Sequence, residues 1–103
     1  MIHVIAIITT QPGKREEVLA EFRTIIPTVL EETGCIEYGP TIDAAGAGSV
    51  QTALGPDTFV VVEKWTSTET LAAHGKASHM AEYAAKVKHL LADRVIHVLS
   101  PAS

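Results

Sequence analysis

The chain has 103 residues, enough for one hydrophobic core and too few for two, and its 47% hydrophobic and 19% charged composition suits packing rather than disorder. A formal net charge of -4, with no run of Lys or Arg, provides no phosphate-tracking surface, which excludes nucleic acid as a partner. Cys35 is the only cysteine, so an intrachain disulfide framework is excluded, no Cys/His cluster has zinc-site spacing, and no apolar run approaches the ~20 residues of a membrane span.

Residues 2 to 10 are apolar and largely β-branched apart from His3, which predicts a strand because Ile and Val pack well on a pleated surface. Gln11-Pro12-Gly13 breaks it. From Lys14 onward Val18, Leu19, Phe22, Ile25, Ile26, Val29 and Leu30 recur at three- and four-residue steps opposite Arg15, Glu16, Glu21, Arg23 and Glu31, the pattern of an amphipathic helix. Pro27 lies inside it and is expected to bend or split it, and Gly34 supplies the stop. Residues 35 to 42 read as a second strand, and the Gly- and Ala-rich residues 44 to 56 as a loop or loose hairpin with a mobile segment.

Residues 58 to 65 form a third strand, apolar on both faces over Phe59-Val60-Val61-Val62. Its period of two puts Phe59, Val61, Glu63 and Trp65 on one face and Val60, Val62 and Lys64 on the other. Thr66 with Glu69 has the spacing of a capping box, so a helix is expected from about Ser67, carrying Leu71 and His74. Gly75 weakens that helix, and Ser78 is placed as the cap of another, with Met80, Tyr83, Ala84, Val87, Leu90 and Leu91 inward. Residues 93 to 99 close the chain as a fourth strand.

This order predicts a single domain over residues 1-103 of the α+β class: a ferredoxin-like βαββαβ fold, with a four-stranded antiparallel sheet and broken helices on one face. Strands one, three and four are apolar on both faces, so a second copy packed sheet against sheet is the expected cover, giving a homodimer of the dimeric α/β-barrel type. The start at Met1-Ile2-His3-Val4 has no basic region or small-residue cleavage site, and a soluble, cytoplasmic protein is expected.

Three motifs then carry a family resemblance. Gly34-Cys35-Ile36-Glu37-Tyr38 resembles a G-C-x-x-Y at the start of the second strand, Glu63-Lys64-Trp65 an E-x-W at the end of the third, and His74 with Ser78-His79 a helix-borne H-x3-S-H. In order and spacing the chain resembles the antibiotic biosynthesis monooxygenase family of small dimeric ferredoxin-like proteins, which includes cofactor-independent quinol monooxygenases. The resemblance implies a monooxygenase that oxidises a quinol, polyphenol or polyketide with O2, without a cofactor or metal. His74, His79 and Trp65 are the candidate catalytic residues, and Tyr38, Glu63 and Tyr83 the candidate contacts to a small aromatic substrate.

Such chemistry needs an electron-rich substrate that becomes a donor to triplet O2 on deprotonation, an apolar cavity, and a base that works near neutral pH, for which histidine is suited. Each residue also has a structural reading. Trp65 could be a core or dimer-interface anchor, His74 a structural hydrogen-bond partner, His79 a surface residue or first-turn donor, Tyr38 a tether, and Glu63 a partner across the sheet or the dimer interface. Cys35 reads as a small buried hydrophobe, and His3, His89 and His97 are assigned no chemistry. Haem-degrading relatives need an axial His about ten residues beyond the place of His74 and an Asn on the first strand. Here those places hold Ala84 and Ile5-Ala6-Ile7, so no haem is expected. A non-catalytic small-molecule-binding or stress-associated dimer of the same fold is the competing reading.

Overall fold

The computed structural model describes all residues from Met1 to Ser103. Strands β1 (Ile2–Thr10), β2 (Cys35–Thr41), β3 (Thr58–Trp65) and β4 (Leu91–Leu99) form one antiparallel sheet in the order β2-β3-β1-β4. Helices α1 (Arg15–Leu30), α2 (Thr68–Gly75) and α3 (Ser78–Val87) complete the βαββαβ order, with the second helical segment broken at Lys76-Ala77. This is the predicted ferredoxin-like fold.

Alternation decides which side chains meet the helices. On β1, Val4, Ala6, Ile8 and Thr10 are buried, and on β3 Phe59, Val61, Glu63 and Trp65 are buried, while Ile5, Ile7 and Thr9 of β1 and Val60, Val62 and Lys64 of β3 remain part-exposed on the other face. From α1, Val18, Leu19, Phe22, Ile25 and Val29 fill the space above them. Phe22 is central: its ring stacks on Tyr38 at 5.3 Å and meets Phe59 and Tyr83 edge-on at 5.9 and 5.8 Å. Four of the five Phe, Tyr and Trp side chains of the protein meet in this cluster.

Several boundaries differ from expectation. Pro27 does not split α1, which runs unbroken from Arg15 to Leu30. The carbonyl that Pro27 leaves without an amide belongs to Arg23 on the exposed side of the helix, where water can satisfy it. The cap of α2 is Ser67, not Thr66: Ser67 Oγ accepts from Thr70 N at 3.2 Å and Thr70 Oγ1 accepts from Ser67 N at 3.3 Å. Thr66 N is already committed to the carbonyl of Gly34 at 2.9 Å, which shifts the box by one residue. Ala77, not Ser78, precedes α3 and makes no side-chain cap. Strand β2 stops at Thr41, and β4 begins at Leu91 after a 3-10 turn over Lys88–Leu90. The connection after β2 contains a second 3-10 turn, Gly48–Val50, and is closed by Asp43, whose carboxylate accepts from the amides of Leu54 and Gly55 at 2.9 to 3.0 Å.

Candidate functional site

The helices cover β2, β3 and β1 more fully than the edge strand β4. Register places Arg94, Ile96 and Val98 opposite Ile8, Ala6 and Val4, so they share the helix-facing side of the sheet, yet Ile96 and Val98 are 48% and 50% exposed. Between this edge and α3 lies a cavity of about 790 Å³. Its body is apolar, formed by residues that include Val4, Ala6, Ile8, Phe22, Phe59, Val61, Leu71, Met80 and Ile96. Its polar groups divide by depth: Tyr38, Glu63 and His74 are buried, whereas Lys88, Asp93 and Arg94 are exposed around the mouth.

The buried polar groups are placed by strand register and by the cap of α2. Tyr38 and Glu63 are direct partners across β2 and β3, and both point to the helix side. Trp65, two residues further along β3, donates its Nε1–H to Glu63 Oε1 at 2.9 Å. The Ser67 cap starts α2 immediately beyond the strand, and its last turn brings the His74 ring to 4.7 Å from Trp65 and 5.3 Å from Tyr38. Burial pushes the Glu63 carboxyl above the ordinary carboxylate range, while the Trp65 N–H and the nearby His74 pull it back. Desolvation also raises the Tyr38 hydroxyl well above the usual phenol range and pushes Tyr83 up to about 12, so both are phenolic hydrogen-bond donors at neutral pH.

One functional group lies outside the sequence expectation. Glu32, on the turn that leaves α1, accepts from His74 Nδ1 at 2.9 Å and from His79 Nε2 at 2.8 Å through the same oxygen, Oε2. Gly34 makes this approach possible: at φ +83 it turns the chain, and a Cβ there would lie 2.5 Å from Thr70 Cγ2 and 2.6 Å from Thr66 Oγ1. The turn after α1 therefore sits directly on the start of α2, with Glu32 above His74. Donor atoms of Glu32, His74 and His79 all lie within 4.8 Å of one another, and the two hydrogen bonds already join them.

Of the six residues singled out in the sequence, Tyr38, Glu63, His74 and Tyr83 line the cavity. Trp65 does not: it is fully buried behind His74, holding Glu63 on one side and the imidazole on the other. His79 faces a separate small hollow of about 210 Å³ between α1 and α3 and reaches His74 only through Glu32. Glu63 pairs along its own strand rather than across the sheet. Cys35 is half-buried, and burial with the nearby Glu32 and Glu63 charges raises its thiol above the usual range.

A model of the family described as antibiotic biosynthesis monooxygenase matches residues 1–86, which include β1, β2, β3, α1, α2 and all of α3 but Val87. The chain belongs to the antibiotic biosynthesis monooxygenase family. It is 42% identical over 98% of both chains to a protein of Escherichia coli named "Probable quinol monooxygenase YgiN". Among solved structures, Rv0793 of Mycobacterium tuberculosis superposes with a TM-score of 0.79 at 26% identity, covering 99% of this chain and 95% of that one. PA3566 of Pseudomonas aeruginosa gives 0.81 at 24% identity over 99% and 94%, a likeness of fold. The three motifs lie close together in the structure: Gly34 seats the turn after α1 on α2, Glu63 and Trp65 end β3, and His74 and His79 meet at Glu32.

Proposed function

We propose that this protein is a cofactor-independent monooxygenase that oxidises a quinol or related polyphenol with O2. The observation that supports this most is an apolar cavity in which His74 is the one imidazole on the wall, beside the phenol of Tyr38. Similarity to the Escherichia coli relative supports the substrate class.

In this reading a quinol lies with one hydroxyl at His74, which takes its proton. The quinolate transfers one electron to O2, and the resulting semiquinone and superoxide combine at a ring carbon to form a peroxide anion, which the protonated His74 converts to the hydroperoxide. Loss of the proton from that ring carbon, with heterolysis of the O–O bond, expels hydroxide that takes up the proton as water and leaves a hydroxyquinone. Overall, a quinol and O2 give a hydroxylated quinone and water. Burial of the cavity strengthens the interaction of the developing phenolate with the Tyr38 hydroxyl and the protonated His74.

A homodimer through the outer sheet face belongs to the same proposal. Val95, His97 and Leu99 of β4 pair with Ile7, Ile5 and His3 on that face, next to Val60 and Val62 of β3, and Val95 and Leu99 are 42% and 48% exposed. Sedimentation analysis at micromolar concentration is expected to give twice the chain mass of 11.0 kDa, and a monomer would contradict this part.

Oxygen uptake on a panel of reduced benzo- and naphthoquinones tests the activity. The parent protein is expected to exceed buffer autoxidation for at least one quinol, with His74→Ala reduced roughly 10²-fold or more. Uptake at the autoxidation rate throughout would leave the non-catalytic binding reading.

A further inference from the structure

An ionised carboxylate offers lone pairs only, and a neutral imidazole carries a single N–H. Both contacts to Glu32 Oε2, 2.9 Å from His74 Nδ1 and 2.8 Å from His79 Nε2, therefore need their proton on the ring nitrogen. A neutral His74 is then the Nδ1–H tautomer, with Nε2 bare, and a neutral His79 is the Nε2–H tautomer. His74 lines the cavity and Glu32 does not. With Nδ1 committed to Glu32, Nε2 is the nitrogen left for a substrate proton.

We infer that Glu32 is a positioning residue: it fixes the tautomer and ring plane of His74 so that Nε2 is free to act as the base, and His79 braces the carboxylate that does so. The three groups come from three separate places, the turn after α1, the last turn of α2 and the first turn of α3, so the clamp also sets how these elements meet. His74 is only 6% exposed, and water is a poor substitute for Glu32 there. Once His74 takes a proton, the Glu32 charge faces the new imidazolium across a hydrogen bond that is already made, and no solvent reorganisation is needed. Two acceptor contacts on one oxygen hold the carboxylate more firmly than one, and this gives His79 a purpose although it is not on the cavity wall.

The kinetic consequence rests on the oxygenase reading, but the tautomer assignment does not, and the test separates them. Nitrogen-15 spectra of the histidine rings of the full chain are expected to show His74 with a protonated Nδ1 and a bare Nε2. Glu32→Gln, which loses the charge and replaces one acceptor oxygen by an NH2 donor that needs a bare ring nitrogen, is expected to shift His74 toward the Nε2–H tautomer and to lower kcat on the best quinol roughly 10²-fold, with KM changed less than about threefold. Glu32→Asp restores the charge and is expected to recover the tautomer and part of kcat, which a purely structural role for the side chain would not produce. If no quinol is oxidised but Glu32→Gln still shifts the tautomer, the positioning stands and the oxygenase reading fails. The inference is overturned if His74 Nδ1 is bare in the parent protein, if Glu32→Gln leaves both tautomer and kcat unchanged, or if the purified protein carries a stoichiometric divalent metal on these three side chains.

Discussion

Trp65→Phe probes the buried end of the site, because it removes one hydrogen-bond donor from a carboxylate that has little water around it. In the native protein Trp65 is fully buried and Glu63 is 7% exposed, and the indole N–H lies 2.9 Å from Glu63 Oε1. Losing a donor to a buried acceptor costs about 1–3 kcal/mol. The smaller ring adds about 1 kcal/mol for lost packing against His74. The variant is therefore expected to be less stable by about 2–4 kcal/mol near neutral pH. The pH dependence gives the sharper test. Burial raises the Glu63 carboxyl, so the folded state binds its proton more tightly than the unfolded chain does. Its contribution to stability is most favourable below the ordinary glutamate value and declines as pH rises through the raised folded value. Removing the Trp65 donor raises that value further and steepens the decline. The cost of Trp65→Phe should thus be larger at about pH 7.5 than at about pH 4.5, in urea unfolding at fixed protein concentration. Adding Glu63→Gln removes the charge that lost its partner, so the double variant should be more stable than the sum of the two singles by about 1–2 kcal/mol. A cost of Trp65→Phe that is equal at both pH values, with simple additivity, would refute the assignment of this pair as a buried charge and its donor.

Three other expectations follow from the frame around the site. Gly34→Ala combines a left-handed φ of +83 with a Cβ that would sit 2.5 Å from Thr70 Cγ2, and should cost about 2–4 kcal/mol in chemical unfolding, with disturbed His74 ring resonances because the Glu32 turn must move. Ser67→Ala removes the oxygen that caps Thr70 N and should cost about 1 kcal/mol, measurable as a lowered urea midpoint with an unchanged slope. The amides of Leu54 and Gly55 hold the Asp43 carboxyl below its ordinary range. Its stabilising contribution is therefore present above the unfolded aspartate value and lost as pH falls through the lowered folded value, and Asp43→Ala should accelerate proteolytic nicking between residues 44 and 56 at neutral pH.

Periodicity carried most of the architecture into the sequence. The period of two on β3 placed Glu63 and Trp65 on the helix side, and the periodic stripe of α1 supplied the core residues that cover them. What the pattern did not contain were interactions that depend on where two turns meet. Thr66/Glu69 and Ser67/Thr70 are overlapping three-step pairs, and the structure uses the second because Thr66 N is bonded to Gly34, more than thirty residues away in sequence. Glu32 is one of two adjacent acidic residues just after α1, with no periodic or motif signal apart from its place two residues before Gly34. Its role appears only when the Gly34 turn is seated on α2. For the same reason no pattern in the sequence marks His79 as lying outside the cavity, and the exposed Lys88, Asp93 and Arg94 at the mouth have no pattern of their own.

The proposed insertion of one atom of O2 into a quinol held at His74 is tested directly by turnover under oxygen-18 gas, followed by mass spectrometry of the product. A hydroxyquinone carrying one labelled oxygen is expected from the parent protein, and no labelled product above the protein-free control from His74→Ala. Oxygen consumed entirely as peroxide with unlabelled quinone, or equal labelling by the two proteins, would contradict it.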